Sequence, residues 1–255
     1  MPSNPRQPFL SGTRPRVFAH RGLALDAPEN TLLAFLRALN AGATHLETDV
    51  HASRDGVAII SHDPDISRVA GGDSLVSDLT FAELRKADLG YGQTFVSLDE
   101  LFEAFPDARF NIDVKSDDAV VPTAKAVLRH GATHRVLISS FSENRRRRTV
   151  RMLPGVASSA SSSGVTRAVL SAKFGLPRTT RRALHGLVAV QIPVKFRGIR
   201  LVTPRVVKAI HAAGAEVHVW TVNDPREMAH LLDMGVDGLV TDRTDLAVAL
   251  ISGRG

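Results

Sequence analysis

Eight short runs of β-branched or apolar residues, at about 17–19, 45–50, 110–114, 135–139, 155–159, 187–191, 216–220 and 238–241, punctuate this chain, mostly with helical patterns between them. Strands that alternate with helices pair in parallel, and eight of them are the number that closes a barrel. The expected fold is therefore α/β, a TIM (β/α)8 barrel, and 255 residues suit one such barrel with an ample core. A loose N-terminal tail over residues 1–15 and a single barrel domain over 16–255 follow. The segment from Pro64 to Phe95 breaks the rhythm, because Gly71-Gly72, Gly90 and Gly92 surround one short helical stretch from Phe81 to Ala87. It reads as an insertion, a small cap above the barrel. Two helices carry clear boundaries. Pro28 to Ala41 has the stripe Leu32, Phe35, Leu36, Leu39 and stops at Gly42, and Pro225 to Met234 stops at Gly235. The stretch from Ser158 to Ser163 has linker composition but lies between a strand pattern and a helix pattern, so it reads as a strand-to-helix loop.

The most chemically pointed segment runs from Glu47 to Asp63. Glu47 and Asp49 are two apart in an apolar-flanked strand and so share a face, while Asp55-Gly56 is a dipeptide of tight two-residue hairpins. A turn centred there pairs position 49 with position 62 and sets His62 beside Asp49. Two acids and an imidazole on one surface suit a cation site with an acid/base group next to it. An exposed polar hairpin is the competing reading of the same spacing.

The charge balance narrows the partners only slightly. Net charge +6 and a pI near 10.3 favour anions, whether phosphate-bearing metabolites, nucleic acids or acidic lipid surfaces. The chain has no cysteine, which excludes disulfides, thiolate metal sites and a cysteine nucleophile. Met1 to Arg16 lacks the apolar core of a secretory signal and no run is long enough to span a membrane, so a soluble cytoplasmic protein is expected, without stable membrane insertion. The run Arg145 to Arg148 follows a credible helix start at Ser142-Glu143-Asn144, so its arginines fan around one turn as a solvated helix. With one Tyr and one Trp there is little to stack on bases, and nucleic-acid binding is not expected.

Chemistry on a TIM barrel sits at the C-terminal ends of its strands. His20-Arg21-Gly22 ends the first run, Glu47 and Asp49 lie on the second, and Asp113 and Lys115 end the third. Gln191 ends the sixth, Trp220 the seventh and Thr241-Asp242 the eighth. Any one of these reads equally as a satisfied structural group. Their recurrence at strand ends points to a site.

Taken in order, His20-Arg21-Gly22, Pro28-Glu29-Asn30-Thr31, Glu47-Thr48-Asp49, Asp55-Gly56, His62-Asp63, Ser97-Leu98-Asp99-Glu100, Asn111-Ile112-Asp113-Val114-Lys115, Trp220-Thr221-Val222-Asn223 and the segment from Gly235 to Asp242 resemble the successive signatures of the glycerophosphodiester phosphodiesterases. The resemblance covers about residues 17 to 245. It implies a TIM barrel with a small insertion after the His-Asp pair. It also implies cleavage of a small glycerophosphodiester to sn-glycerol 3-phosphate and an alcohol, with one divalent ion, Ca2+ or Mg2+, as cofactor. By position, Glu47, Asp49 and Asp113 would be the metal ligands and His20 and His62 the acid/base pair. Arg21 and Lys115 would add positive charge for an anionic phosphodiester, and Trp220 would pack on the glycerol moiety. Gln191 and Phe141, at strand ends, are candidate pocket residues.

Many members of that family carry glutamate where this chain has Asp113, and an ion pair with Lys115 on the same strand face is the other reading of this aspartate. Glu29 would orient Arg21, or simply favour the dipole of a helix beginning there. His51 shares the parity of Glu47 and Asp49 and reads as a solvated hairpin residue, and Asn223 and Asp242 as loop braces. Val165 to Leu176, with Arg167 and Lys173, reads as barrel packing or as a lid or lipid-facing segment. The resemblance leaves a second substrate class open, lysophospholipids cleaved by a lysophospholipase D reaction on the same site, with 64–95 and 165–176 as sources of an apolar groove.

Overall fold

The computed structural model describes residues 8–254. Its strands are β1 (Arg16–His20), β2 (His45–Ala52), β3 (Ala58–Ile60), β4 (Phe110–Val114), β5 (Val136–Ser139), β6 (Ala157–Ser158), β7 (Ala189–Pro193), β8 (Lys195–Phe196), β9 (Ile199–Arg200), β10 (Glu216–Trp220) and β11 (Gly238–Thr241). The helices are α1 (Leu32–Asn40), α2 (Ser67–Ala70), α3 (Phe81–Leu84), α4 (Leu98–Ala104), α5 (Val120–Arg129), α6 (Glu143–Met152), α7 (Ser162–Lys173), α8 (Pro177–Ala183), α9 (Pro204–Ala212), α10 (Pro225–Asp233) and α11 (Thr244–Ser252). Eight strands pair in parallel in the order β6-β5-β4-β2-β1-β11-β10-β7. The ring closes between β6 and β7, where Ala160 N donates to Ala189 O at 3.0 Å and Val188 N to Ser158 O at 3.0 Å. The expected TIM barrel is thus the observed one, with all eight expected strands in it.

Strand parity divides the side chains into two environments. Val17, Ala19, Leu46, Val50, Ile112 and Val114 face outward into the layer beneath the helices. The alternate residues fill the barrel. Its lower end holds Arg16, His45, Glu216 and His218, its middle holds Phe18, Leu137, Ala157, Ala189 and Val240, and its upper end holds the polar residues described below. Because period two is a property of the extended chain, residues such as Glu47 and Asp49 must face the same side.

Residues 8 to 15 are not the expected loose tail, and residues 1–7 lie outside the described residues. Phe9 is 1% exposed and packs with Phe18, Leu137 and Val240, and its carbonyl oxygen lies 2.9 Å from His45 Nε2. Burying an aromatic ring at the open lower end of a barrel stabilises this segment by roughly 2 kcal/mol, a gain that a net-charge reading of the N-terminus does not register. Beside it Arg16, 1% exposed, donates to Glu216 through Nε at 2.8 Å and Nη2 at 2.9 Å.

Burial alone would raise the Glu216 pKa, but the hydrogen bonds and charges of Arg16 and His218 bring it down to about 2. The sign follows: this carboxylate contributes stability that is present above its unfolded pKa of 4.5 and is lost as pH falls from there toward 2. Glu216→Gln leaves the Arg16 charge buried without its counter-ion and is expected to cost about 3–5 kcal/mol at neutral pH. Urea denaturation would check this, and a loss under about 1 kcal/mol would place the pair among ordinary surface ion pairs.

The hairpin after β2 corrects the expected register. Ser53 N donates to Val57 O at 3.0 Å, so Arg54, Asp55 and Gly56 form a three-residue loop, with Gly56 at φ 77°. Asp49 consequently faces Ser61, whose amide donates to Asp49 O at 3.0 Å, and His62 lies one residue beyond. Helix α1 begins later than expected, at Leu32, because the Thr31 side chain caps Ala34 N; Glu29 therefore precedes the helix and is not in its first turn. Helix α3 is shorter than expected, since after Leu84 the bonds tighten to Lys86 N with Glu83 O and Ala87 N with Leu84 O. The stretch 64–95 carries its own small core, Val76, Leu84 and Phe95 against Ile59. Within α6, Arg146 is buried against Glu143 and Ser158, so one of the four arginines is not solvated.

Candidate active site

At the C-terminal end of the barrel a cavity of about 700 Å³ is lined by His20, Arg21, Glu47, Asp49, His62, Asp113, Lys115, Phe141, Gln191 and Trp220, among others. Ten of the eleven site residues expected from the sequence therefore meet in one place, and Glu29 joins them through Arg21. Ladder register is the cause: β1 pairs His20 with Glu47, and β4 pairs Asn111 with Glu47 and Asp113 with Asp49. Gly22 fixes the turn after His20. Its φ is 89°, and a Cβ there would lie 2.7 Å from Ala34 C, so only glycine lets α1 approach the strand end. The preceding Arg21 also sits at positive φ, 55°, held by the hydrogen bond its backbone N–H donates to Glu47 O at 3.0 Å.

Each candidate acid/base histidine is anchored at Nδ1 by a carboxylate. His20 Nδ1 lies 2.6 Å from Asp242 Oδ1, and Asp242 Oδ2 accepts from Asn223 Nδ2 at 2.7 Å. Burial lowers the His20 pKa, but the Asp242 hydrogen bond and the Glu47 charge outweigh it and the net direction is upward. His62 Nδ1 lies 2.7 Å from Asp63 Oδ1. Asp63 accepts from Arg68 at 2.5 Å, Arg68 bonds Glu29 at 2.6 Å, and Glu29 accepts from Arg21 at 3.1 Å. A bond at Nδ1 fixes the ring and its tautomer and leaves Nε2 as the working nitrogen. Asp242, Asn223, Asp63 and Arg68 had no assigned place in this arrangement from sequence, although Asp63, Asn223 and Asp242 all fall in the ordered motifs. His51 is buried, with Nε2 3.2 Å from His62 O, and so supports the His62 loop instead of being solvated.

The acid cluster is electrostatically unbalanced. Burial, then the neighbouring Asp49, pushes the Glu47 carboxyl up to about 8, and burial also raises Asp113. Lys115 Nζ stands 2.8 Å from both Asp49 Oδ1 and Asp113 Oδ2, so the Asp113–Lys115 ion pair is present. Asp49 Oδ2 and Asp113 Oδ1 are buried without a hydrogen-bond partner. Among the described residues no group of three acids or histidines converges as a finished metal shell. The donor set nevertheless fits a hard divalent cation: Glu47, Asp49 and Asp113 are buried together, an oxygen of each aspartate lacks a hydrogen bond, and the only positive charges against the three are Lys115 and Arg21, whose Nε lies 3.2 Å from Asp49 Oδ2, among the described residues. Phe141 and Trp220 meet edge to face at 6.0 Å between centroids, and Lys115 Nζ lies 5.7 Å from the Phe141 ring. Gln191 accepts from Ser159 at 3.1 Å.

Comparison with known proteins bears on the family and the fold. Residues 20–246 match the Glycerophosphoryl diester phosphodiesterase family. A Mycobacterium tuberculosis protein named probable glycerophosphodiester phosphodiesterase 2 is 42% identical over 241 residues, covering 94% of this chain and 91% of its own. The crystal structure of glycerophosphodiester phosphodiesterase from Agrobacterium tumefaciens is similar at TM-score 0.78 and 26% identity, over 93% of this chain and 99% of that one. An Oleispira antarctica phosphodiesterase, solved in complex with the product sn-glycerol-3-phosphate, is similar at TM-score 0.78 and 25% identity, over 94% and 97%. On its barrel, its ordered motifs and this match along most of its length, the chain belongs to the glycerophosphoryl diester phosphodiesterase family, phosphodiester hydrolases on a TIM barrel.

Proposed function

We propose that this chain hydrolyses small soluble glycerophosphodiesters to sn-glycerol 3-phosphate and an alcohol, in a divalent-metal-dependent reaction with His20 and His62 as the acid/base pair. The observation that carries the reading is the pairing of two Nδ1-anchored imidazoles with a buried, under-neutralised carboxylate cluster in one cavity. Glu47, Asp49 and Asp113 would hold the ion, Ca2+ or Mg2+, which supplies positive charge to the phosphoryl oxygens when bound.

The chain's own side chains account for the rest. Arg21 and Lys115 face the cavity with fixed positive charge for an anionic diester. One imidazole takes the proton from the attacking group as the new P–O bond forms, whether that group is water, which gives sn-glycerol 3-phosphate directly, or the glycerol 2-hydroxyl, which gives a cyclic phosphate that water opens in a second step. The other delivers a proton to the alkoxide as the old P–O bond breaks, so proton and charge balance across the step. Glu29, bonded to Arg21 and Arg68, orients the arginine beside the site, and Trp220 and Phe141 present aromatic surface to the glycerol part of the substrate.

A second reading, hydrolysis of lysophospholipids, draws on the apolar part of the cavity lining, Val165, Val169, Leu170, Phe196, Ile199 and Leu201, as a surface for an acyl chain. Initial rates on glycerophosphocholine and on lysophosphatidylcholine separate the two. The expected result is at least about tenfold higher kcat/KM on glycerophosphocholine, with sn-glycerol 3-phosphate as product. Turnover confined to lysophosphatidylcholine would transfer the assignment to a lysophospholipase D.

A further inference from the structure

Beside the cavity mouth lies an exposed apolar patch that the hydrolysis does not require. It is built from the C-terminal end of α7 and the β8–β9 hairpin, which are tied together where Lys173 Nζ donates to Arg200 O at 3.0 Å. Phe174 is 74% exposed, Ile199 61% and Phe196 57%, with Leu170 and Leu176 also exposed. The hairpin tip is a tight turn with Arg197 at φ 49° and Gly198 at φ 79°, the two-residue geometry that matches strand twist, and Arg197 lies 5.5 Å over the Phe196 ring. The tip is therefore a defined protrusion with aromatic and cationic side chains together.

The segment that carries it has charge of one sign. From Asn144 to Ala215 every aspartate or glutamate is missing from the sequence while lysines and arginines recur throughout. Among the described residues Arg178, Arg181 and Arg182 on α8, and Lys195 and Arg197 on the hairpin, have no acidic partner within ion-pair distance.

We propose that this face docks the enzyme on an anionic lipid bilayer, with Phe174 and the hairpin tip entering the headgroup region and the surrounding cations meeting acidic headgroups. Three observations select that occupant. The charge is complementary to an acidic membrane, each Lys or Arg near such a surface adding to the attraction. The exposed side chains are aliphatic and phenylalanine, which a headgroup boundary buries and a nucleic acid backbone does not. The patch is continuous with the active-site mouth, since Leu170, Lys173, Phe196 and Ile199 line the cavity itself. A second copy of the chain is disfavoured as the cover, because a two-fold contact would set these basic surfaces against each other.

The test uses the full chain and sucrose-loaded vesicles of phosphatidylcholine, with or without about a third phosphatidylglycerol. The expected result is sedimentation with the anionic vesicles only, weakened by high salt. The triple variant Phe174→Ser, Lys195→Gln, Arg197→Gln is expected to lower the vesicle affinity at least about tenfold. Its kcat/KM on dissolved glycerophosphocholine should stay at the wild-type value, because none of the three lines the cavity. Equal binding to neutral and acidic vesicles, undiminished binding by the variant, or binding to a DNA duplex without vesicle binding would each overturn the proposal. So would concentration-dependent dimerisation that the variant abolishes in a protein that ignores vesicles. The reaction assigned above is read separately on the dissolved substrate, so a failure of one does not resemble a failure of the other.

Discussion

His20→Ala and His62→Ala are each expected to reduce kcat/KM on glycerophosphocholine by about 10²–10⁴-fold, the range for removing a positioned general acid or base. Both rings line the cavity and each is held at Nδ1 by its own aspartate. Neither belongs to the barrel's hydrophobic clusters, so thermal denaturation midpoints should shift little. The anchoring carboxylates make a graded companion series. Asp242→Asn and Asp63→Asn keep the side-chain shape but lose the charge that favours the imidazolium, and should cost less than loss of the ring. The limb of the rate profile that reports His20 should also move to lower pH in Asp242→Asn, because the Asp242 hydrogen bond is a principal upward contribution to its pKa. A histidine variant that lost stability in proportion to activity would assign that residue to structure instead.

Removing divalent metal is expected to cost turnover by a comparable factor, about 10²-fold or more, with recovery on adding Ca2+ or Mg2+. The physical reason lies in the apoprotein. Glu47, Asp49 and Asp113 are buried together, Lys115 bridges the two aspartates, Arg21 Nε stands 3.2 Å from Asp49 Oδ2, and an oxygen of each aspartate is still left without a hydrogen bond. A bound cation relieves that repulsion in the folded state only, so metal should also raise the denaturation midpoint. This gives a readout that does not depend on catalysis. Asp49→Asn removes one charge from the cluster at nearly constant volume and should abolish most of the metal-induced stabilisation. Full activity in excess EDTA, with no shift of the midpoint by either ion, would contradict this account.

Much of the architecture was legible because it rests on periodicity. A run such as Val17 to Ala19 or residues 110–114 announces a strand by its composition, and the alternation within it decides which residues face the helices and which the barrel. That is why His20, Glu47, Asp49, Asp113, Lys115, Gln191 and Trp220 could be placed at one end before any coordinates. What was not legible depended on contacts between distant residues or on backbone detail at a turn. The hairpin register slipped by one residue because Asp55-Gly56 serves a three-residue loop closed by Ser53 and Val57 as readily as a two-residue one. Phe9 looked like part of a tail because nothing local shows that His45, 36 residues further on, receives it together with Phe18. The chain of charges from Asp63 through Arg68 to Glu29 joins positions 39 residues apart, with Arg68 supplied by the insertion, and no spacing rule connects them. Asp242 was read as a loop brace because its strand-end position says nothing about His20, 222 residues away in sequence and 2.6 Å away in space.

A crystal structure of the protein grown with Ca2+ and sn-glycerol 3-phosphate tests the central claim most directly. The account predicts one ion held by carboxylate oxygens of Glu47, Asp49 and Asp113, with the phosphate on it and His20 and His62 on either side of the phosphorus. A phosphate bound with no ion at those carboxylates, or an ion held elsewhere while Lys115 keeps both aspartates, would contradict it.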